Sequence, residues 1–249
     1  MPTVDVEFAK VSYTLASGRV LLRGINLQLE AGSITAVLGR SGSGKTTLLR
    51  MVNGLVMPTA GEVLVRGKAT SDHGMVELRR GIGYVIQETG LFPHMTVERN
   101  ASISIELDGI EKVNIENRAA EVLALVGLDF AEFRRRYPWE LSGGQRQRVG
   151  LARALVMDPE ILLMDEPFGA LDPLTRAEMQ TMLKGLLKRV GKTVLLVTHD
   201  LNEALYLADR VVFLEAGEVV ADLAAVEVLR STNSHVRDYV NAVSRMVEA

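Results

Sequence analysis

The chain contains no cysteine, so neither a disulfide scaffold nor a thiolate metal site is open to it. Its four histidines stand without metal-ligand spacing, which argues against structural zinc. No apolar run approaches the ~18 residues of a membrane span. The opening Met1-Pro-Thr-Val-Asp5 lacks the basic-then-apolar layout of a signal peptide. Positive charge is not in surplus either: the formal net charge is -3, and the only basic cluster is Arg134-Arg-Arg136. A weakly acidic chain without a long basic run is a poor candidate for non-specific binding to nucleic acid or to a lipid surface. Arg134 to Arg136 read as solvated surface or a partner contact, and no nucleic acid is expected as a partner. These absences point to a cytoplasmic chain, with a peripheral place on a membrane open only through a partner.

What is present is enough for a sizeable core. With 249 residues, 47% hydrophobic and 24% charged, one domain carrying a helical insertion is the natural reading. Residues 4–8 and 26–29 alternate apolar and polar, and residues 61–67 form a short run bracketed by glycines; together they predict an antiparallel edge sheet. Residues 34–38, 161–164, 193–197 and 211–214 are apolar throughout, as strands covered on both faces are. Helical patterns at 45–53, 144–157 and 174–190 lie between them, and this alternation predicts a parallel sheet with crossover helices. From about 96 to 137 the period is helical, most clearly at 115–126, with no convincing strand. The expected fold is therefore an α/β phosphate-loop core, about 1–95 and 138–222, with a mostly parallel central sheet and an antiparallel β edge. A helical insertion at about 96–137 and a short helical tail at 223–249 complete it.

Gly39-Arg-Ser-Gly-Ser-Gly-Lys-Thr46 fits G-x-x-x-x-G-K-[ST] in full, between an apolar strand and an apolar-faced helix. Its glycines permit the backbone turns that aim successive amides at phosphate oxygens, and the helix start adds its dipole. Lys45 is placed to neutralise the β- and γ-phosphates of a nucleotide and Thr46 to ligate Mg²⁺. Ile161-Leu-Leu-Met-Asp-Glu-Pro167 is a buried strand ending in adjacent carboxylates. Asp165 would hold Mg²⁺ through water and Glu166 would polarise the attacking water. Leu141-Ser-Gly-Gly-Gln145 opens a helix that carries Arg146, Arg148 and Arg153. Its serine and amides can cap that helix or grip an anion. A plain cap leaves the pair of glycines unexplained. One nucleotide needs one cradle, so a second anion-binding helix start, with no lysine, points to ATP shared by two copies of the chain.

Taken together, in this order and over nearly the whole chain, these motifs resemble the nucleotide-binding subunits of ATP-binding cassette transporters, whose signature stands here as Leu-Ser-Gly-Gly-Gln. The resemblance implies ATP and Mg²⁺ as cofactors, with the phosphates cradled by Gly39, Arg40, Ser41, Gly42, Ser43, Gly44, Lys45, Thr46 and Thr47. It implies that Tyr13 stacks on adenine and that Gln87 touches Mg²⁺ and reports to a membrane partner. Asp172, in Gly169-Ala-Leu-Asp172, would couple two sites across a dimer interface, and His199 would contact the γ-phosphate. Mg²⁺ would fall to Thr46, Gln87 and Asp165, and catalysis to Glu166, His199, Gln87 and Lys45. The family's geometry is a head-to-tail homodimer, each ATP lying between Lys45 of one copy and Ser142, Gly143, Gly144 and Gln145 of the other. ATP binding then closes the dimer and hydrolysis opens it.

The insertion is compact, without the long heptad segment of chromosome-maintenance and break-repair relatives. One cassette is present and no membrane domain is fused to it, as in the separate subunits of bacterial importers. Glu77-Leu-Arg-Arg-Gly-Ile-Gly-Tyr-Val-Ile-Gln87, Gly90-Leu-Phe-Pro-His-Met-Thr96, Tyr137-Pro-Trp-Glu-Leu141 and Asp165-Glu-Pro-Phe-Gly-Ala-Leu-Asp-Pro-Leu-Thr175 resemble the importers of osmoprotectants such as glycine betaine, carnitine and choline. That resemblance implies integral permease subunits as partners, a solute-binding protein indirectly, and a place on the cytoplasmic face of the cell membrane. Leu91, Phe92 and Pro93 are expected to line the groove that receives the permease. Many members of that branch carry a tail of paired cystathionine-synthase-type domains, for which a chain of 249 residues has no room. An importer of another small solute such as an amino acid, a non-transport ATP-driven clamp and a metabolic kinase are the competing readings. The kinase does not account for Leu141 to Gln145 or for the Asp172 loop. The clamp expects a large insertion, a tandem copy or a basic face.

Overall fold

The computed structural model describes residues 3–87, 89–107 and 112–247. The chain begins with β1 (Val4–Thr14), β2 (Val20–Glu30), β3 (Ile34–Leu38), α1 (Lys45–Val52), β4 (Ala60–Val65), β5 (Lys68–Ala69), α2 (Met75–Arg80) and β6 (Ile82–Val85). A run of helices follows: α3 (Val97–Glu106), α4 (Lys112–Leu125), α5 (Phe130–Phe133) and α6 (Gly143–Leu155). The remainder is β7 (Ile161–Asp165), α7 (Pro173–Val190), β8 (Thr193–Thr198), α8 (Leu201–Leu207), β9 (Arg210–Glu215), β10 (Glu218–Ala224) and α9 (Ser234–Val247). These form two compact units, Met1–Arg79 with Thr193–Ala249, and Arg80–Lys192. Among the described residues no helix is long and apolar enough to cross a membrane.

In the first unit, β2-β1-β4-β5 form an antiparallel sheet. Its alternation is real: Ile25, Leu27 and Leu29 are buried while Asn26 and Gln28 between them are exposed. A second sheet runs β10-β9-β3-β8, with β3 parallel to both β8 and β9. Every residue of β8 is buried, as is all of β3 after Ile34, so the uninterrupted apolar runs are explained by cover on both faces. Leu38 lies opposite Thr198 and Phe213, so β3 and β8 end level with each other. The segments beginning at Gly39 and His199 therefore leave the same edge. That edge, the carboxyl end of parallel strands, is where open α/β sheets place ligands.

Sequence patterning missed β10, whose last residues fall in the expected helical tail. The strand pairs antiparallel with β9 through Ala216 and Gly217, whose φ angles of 48° and 84° are those of a two-residue hairpin turn. Half-exposed along its length, β10 shows no clean alternation. A 3₁₀ turn (Ala225–Arg230) and α9 follow it.

In the second unit β6 and β7 run parallel, from Ile82 opposite Ile161 to Val85 opposite Met164. β6 was also missed. Gly83 dilutes its β pattern, and its glycine has a packing cause: a Cβ there would lie 2.3 Å from the Ala154 carbonyl oxygen on α6. Among the described residues between 96 and 137 there are helices α3, α4 and α5 and no strand. Arg134 ties the three together, pairing with Glu98 of α3 at 3.2 Å and with Glu116 of α4, its guanidinium 4.7 Å above the Phe130 ring. Arg136 pairs with Glu132 at 2.7 Å and covers Phe133. Two of the three clustered arginines are thus engaged within the fold.

Candidate functional site

The phosphate loop leaves β3 at Gly39. A Cβ at that position would lie 2.4 Å from the Leu214 carbonyl oxygen of β9 and 2.6 Å from Ser43 Oγ, so only glycine fits. Gly42 and Gly44 take φ angles of 79° and 102°, and Gly44 is the N-cap of α1. That cap supplies no side-chain hydrogen bond, and the first turn of α1 holds no acidic residue. The helix start is thus left without a capping acceptor of its own, in the arrangement that receives an anion. The buried Lys45 ammonium donates to the carbonyls of Gly39 (2.8 Å) and Arg40 (3.2 Å), the same loop a phosphate would enter. Ser43 Oγ is buried beside them with no hydrogen-bond partner. Left-handed glycines, an uncapped helix start, a buried lysine and an unpaired hydroxyl fit a polyphosphate.

Two more of the expected residues lie in this unit. Tyr13 pairs across the sheet with Leu22, and Leu22 Cδ2 is the atom a Cβ on Gly44 would meet at 2.6 Å. Directly opposed residues share a face, so the half-buried Tyr13 belongs to the face that borders the phosphate loop. His199 is exposed at the end of β8. Its flanks are pinned: Thr198 Oγ1 donates to Glu203 at 2.6 Å and accepts from the Asp200 amide at 3.0 Å. Asp200 in turn caps α8 through the amides of Asn202 and Glu203.

In the second unit β7 delivers Asp165, 1% exposed, to its carboxyl end. Tyr84 on β6 donates to Asp165 Oδ2 at 3.3 Å. Glu166 follows with φ 44°, a left-handed conformation that a non-glycine residue adopts at a cost. Gln87 Nε2 donates to Glu166 Oε2 at 3.3 Å, so two of the expected catalytic residues meet. Thr46, Gln87 and Asp165 offer only oxygen donors suited to Mg²⁺, a hydroxyl, an amide carbonyl and a carboxylate.

Ser142 and Gln145 form a capping box at the start of α6. Ser142 Oγ accepts from the Gln145 amide at 3.2 Å, and Gln145 Oε1 accepts from the Ser142 amide at 2.9 Å. The second of the two glycines between them acquires a packing reason: a Cβ on Gly144 would meet Thr175 Cγ2 of α7 at 2.7 Å. Asp172 is the N-cap of α7, accepting from the Thr175 amide at 3.1 Å. Hydrogen bonds from Thr175 hold its carboxyl below the ordinary value of 3.8. The starts of α6 and α7 therefore lie side by side, with Ser142 and Asp172 at their tips.

Tyr84 and Arg153 were not singled out for these contacts. Arg153 on α6 donates to the carbonyls of Gly90 (2.8 Å) and Thr89 (2.7 Å), tying the signature helix to the segment after Gln87. Burial lowers the pKa of its guanidinium. Nothing local in the sequence marks a contact 64 residues away. Phe92 beyond it is 41% exposed, and its amide donates to the buried Asn100 Oδ1 at 2.7 Å.

Residues 22–169 match the family described as ABC transporter. The chain is 47% identical over 221 residues to the choline transport ATP-binding protein OpuBA of Bacillus subtilis (strain 168), covering 89% of this chain and 58% of that one. It is 44% identical over 235 residues to the glycine betaine uptake system ATP-binding protein YehX of Escherichia coli (strain K12), covering 94% and 76%. The chain thus spans less than two thirds of the first relative's length and about three quarters of the second's. Its fold matches the dimeric post-hydrolysis structure of the ATP-binding cassette MJ0796 bound to ADP and Pi, with a TM-score of 0.78 and 35% identity over 88% of this chain and 98% of that one. A phosphate cradle, a strand-end carboxylate pair and the signature helix, with a match over more than half its length, make this chain a member of the ABC transporter family.

Proposed function

We propose that the chain is the ATP-hydrolysing subunit of an importer for a small osmoprotectant such as glycine betaine, carnitine or choline. The observation that carries the reading is the uncapped cradle at the start of α1 with Lys45 resting inside its loop. The solute class is supported by the relatives, whose names give choline and glycine betaine. In this reading residues 39–47 hold the phosphates of ATP and Tyr13 stacks on the adenine. Lys45 exchanges the Gly39 and Arg40 carbonyls for the β- and γ-phosphates. Glu166 accepts a proton from water as that water attacks the γ-phosphorus, with Gln87 and His199 steering it, giving ADP and phosphate. Mg²⁺ held by Thr46, Gln87 and Asp165 would neutralise charge on the phosphates.

The same reading assigns a head-to-tail homodimer in which Ser142 to Gln145 of one copy face the ATP held by Lys45 of the other, with Asp172 coupling the sites. The dimer works beneath integral permease subunits on the cytoplasmic face of the membrane, supplied by a solute-binding protein. Residues 96–137 serve as the helical insertion into a core of about 1–95 and 138–222. The test is phosphate release by the purified chain with Mg-ATP, beside Glu166→Gln. Turnover in the wild type, with retained ATP binding and lost turnover in Glu166→Gln, is the expected result. Near-normal hydrolysis by the variant would move the base to another residue, His199 first.

A further inference from the structure

The neighbours of His199 close a ring of three hydrogen bonds around it. Thr198 Oγ1 donates to Glu203 Oε2 at 2.6 Å. The Glu203 amide donates to Asp200 Oδ1 at 3.4 Å. The Asp200 amide donates back to Thr198 Oγ1 at 3.0 Å. This last bond joins the residues on either side of His199, in the turn that a threonine hydroxyl closes onto the amide two residues on. A further bond of 2.8 Å, from the Asn202 amide to Asp200 Oδ1, ties the ring to the start of α8.

Both side chains that carry the shortest of these bonds are buried, Thr198 at 1% and Glu203 at 5% exposure. A carboxylate is seldom buried unless a partner holds it. A hydroxyl at 2.6 Å is a partner of the short, charge-assisted kind. Thr198 ends β8, opposite Leu38, the residue before the phosphate loop. Glu203 lies in the first turn of α8. The ring therefore fixes the connection from β8 to α8, and with it the exposed His199, at the strand edge from which the phosphate loop also leaves.

We infer that Thr198 and Glu203 are positioning residues for His199, their bond and the Asp200 amide together fixing the backbone on both sides of it. The inference rests on the ATPase reading above, in which His199 meets the γ-phosphate, and adds two buried residues that act through that histidine. Without the Thr198 hydroxyl the Asp200 amide loses its acceptor, and the turn no longer holds the imidazole in one place. The loss falls on the γ-phosphate, which ATP has and ADP lacks.

The test uses the full chain with Thr198→Val, which removes the hydroxyl and keeps the shape, and Thr198→Ser, which keeps the hydroxyl. ATP and ADP affinities are titrated with Glu166→Gln also present, so that ATP persists, and kcat is read without it. Thr198→Val is expected to weaken ATP about three- to tenfold, the scale of one lost hydrogen bond. It should lower kcat about ten- to a hundredfold, the cost of misplacing a group by about 1 Å. ADP affinity should stay as in the wild type, and Thr198→Ser should restore both losses. Added to His199→Ala, Thr198→Val should cost nothing further, since both act through one imidazole. Where Thr198→Val alone does not fold, adding Glu203→Gln removes the buried charge, and that double variant should show the same selective loss. Equal weakening of ADP and ATP, wild-type turnover in Thr198→Val, or losses strictly additive with His199→Ala would overturn the inference and leave the ATPase reading intact. A wild-type chain that binds no ATP would overturn the ATPase reading and the inference with it.

Discussion

Lys45 lies buried on two carbonyls of its own loop, at 2.8 and 3.2 Å, so its charge is already desolvated and held where an anion would replace those acceptors. Lys45→Ala is predicted to weaken ATP binding by about 1.5–3 kcal/mol, the range for hydrogen bonds to charged groups. Calorimetric titration checks it, and unchanged affinity would count against the cradle. Gly39→Ala is predicted to lose binding by a different route, because its methyl group would press on the Leu214 carbonyl at 2.4 Å and shift the loop. A circular-dichroism melt should show that variant destabilised, and a wild-type melt would mean that the loop absorbs the methyl. At this scale the places of Lys45, Thr46, Asp165 and Glu166 just beyond or at the ends of strands were legible, because motifs of fixed spacing follow apolar runs. The contacts of Tyr84 and Arg153 were not, since each is made with a partner far off in sequence. The left-handed Glu166, at φ 44°, has no signature in a pattern of residue types either.

Among the elements, the starts of α6 and α7 form the most testable junction. Gly144→Ala would set a methyl 2.7 Å from Thr175 Cγ2, and overpacking of that kind costs about 1–3 kcal/mol. The melting temperature should fall, and Thr175→Ser, which removes the methyl in the way, should restore much of it in the double variant. Failure of that rescue would mean Gly144 is needed for its backbone rather than its space. Asp172 makes a second prediction. Its carboxyl is held below 3.8 by the Thr175 hydrogen bonds, so the folded pKa is the depressed one. The cap therefore contributes fully above the ordinary value and is lost as pH falls through the lowered one. A side-chain NMR titration of Asp172 should give a midpoint under 3.8, and a midpoint at or above it would contradict the cap geometry. β3, β7, β8 and β9 were readable because cover on both faces makes their sequences apolar throughout. β6 and β10 were not: Gly83 yields its side chain to α6, and β10 has one neighbour and much exposed surface.

For the whole molecule, the two halves of the chemistry argue for two copies. The phosphate loop presents an uncapped helix start, whereas the signature helix presents a capping box that already satisfies Ser142 and Gln145. A cap complete within its own chain can still turn its remaining amides to an anion brought by a second copy, which is why ATP is proposed as the closing element of a dimer. The similarity to a dimeric cassette holding ADP and Pi supports that arrangement. The most direct measurement is the molar mass of Glu166→Gln by light scattering, with and without Mg-ATP. A monomer that becomes a dimer only when Mg-ATP is added is the predicted result. A monomer that binds Mg-ATP to saturation and stays monomeric would contradict the shared-site account.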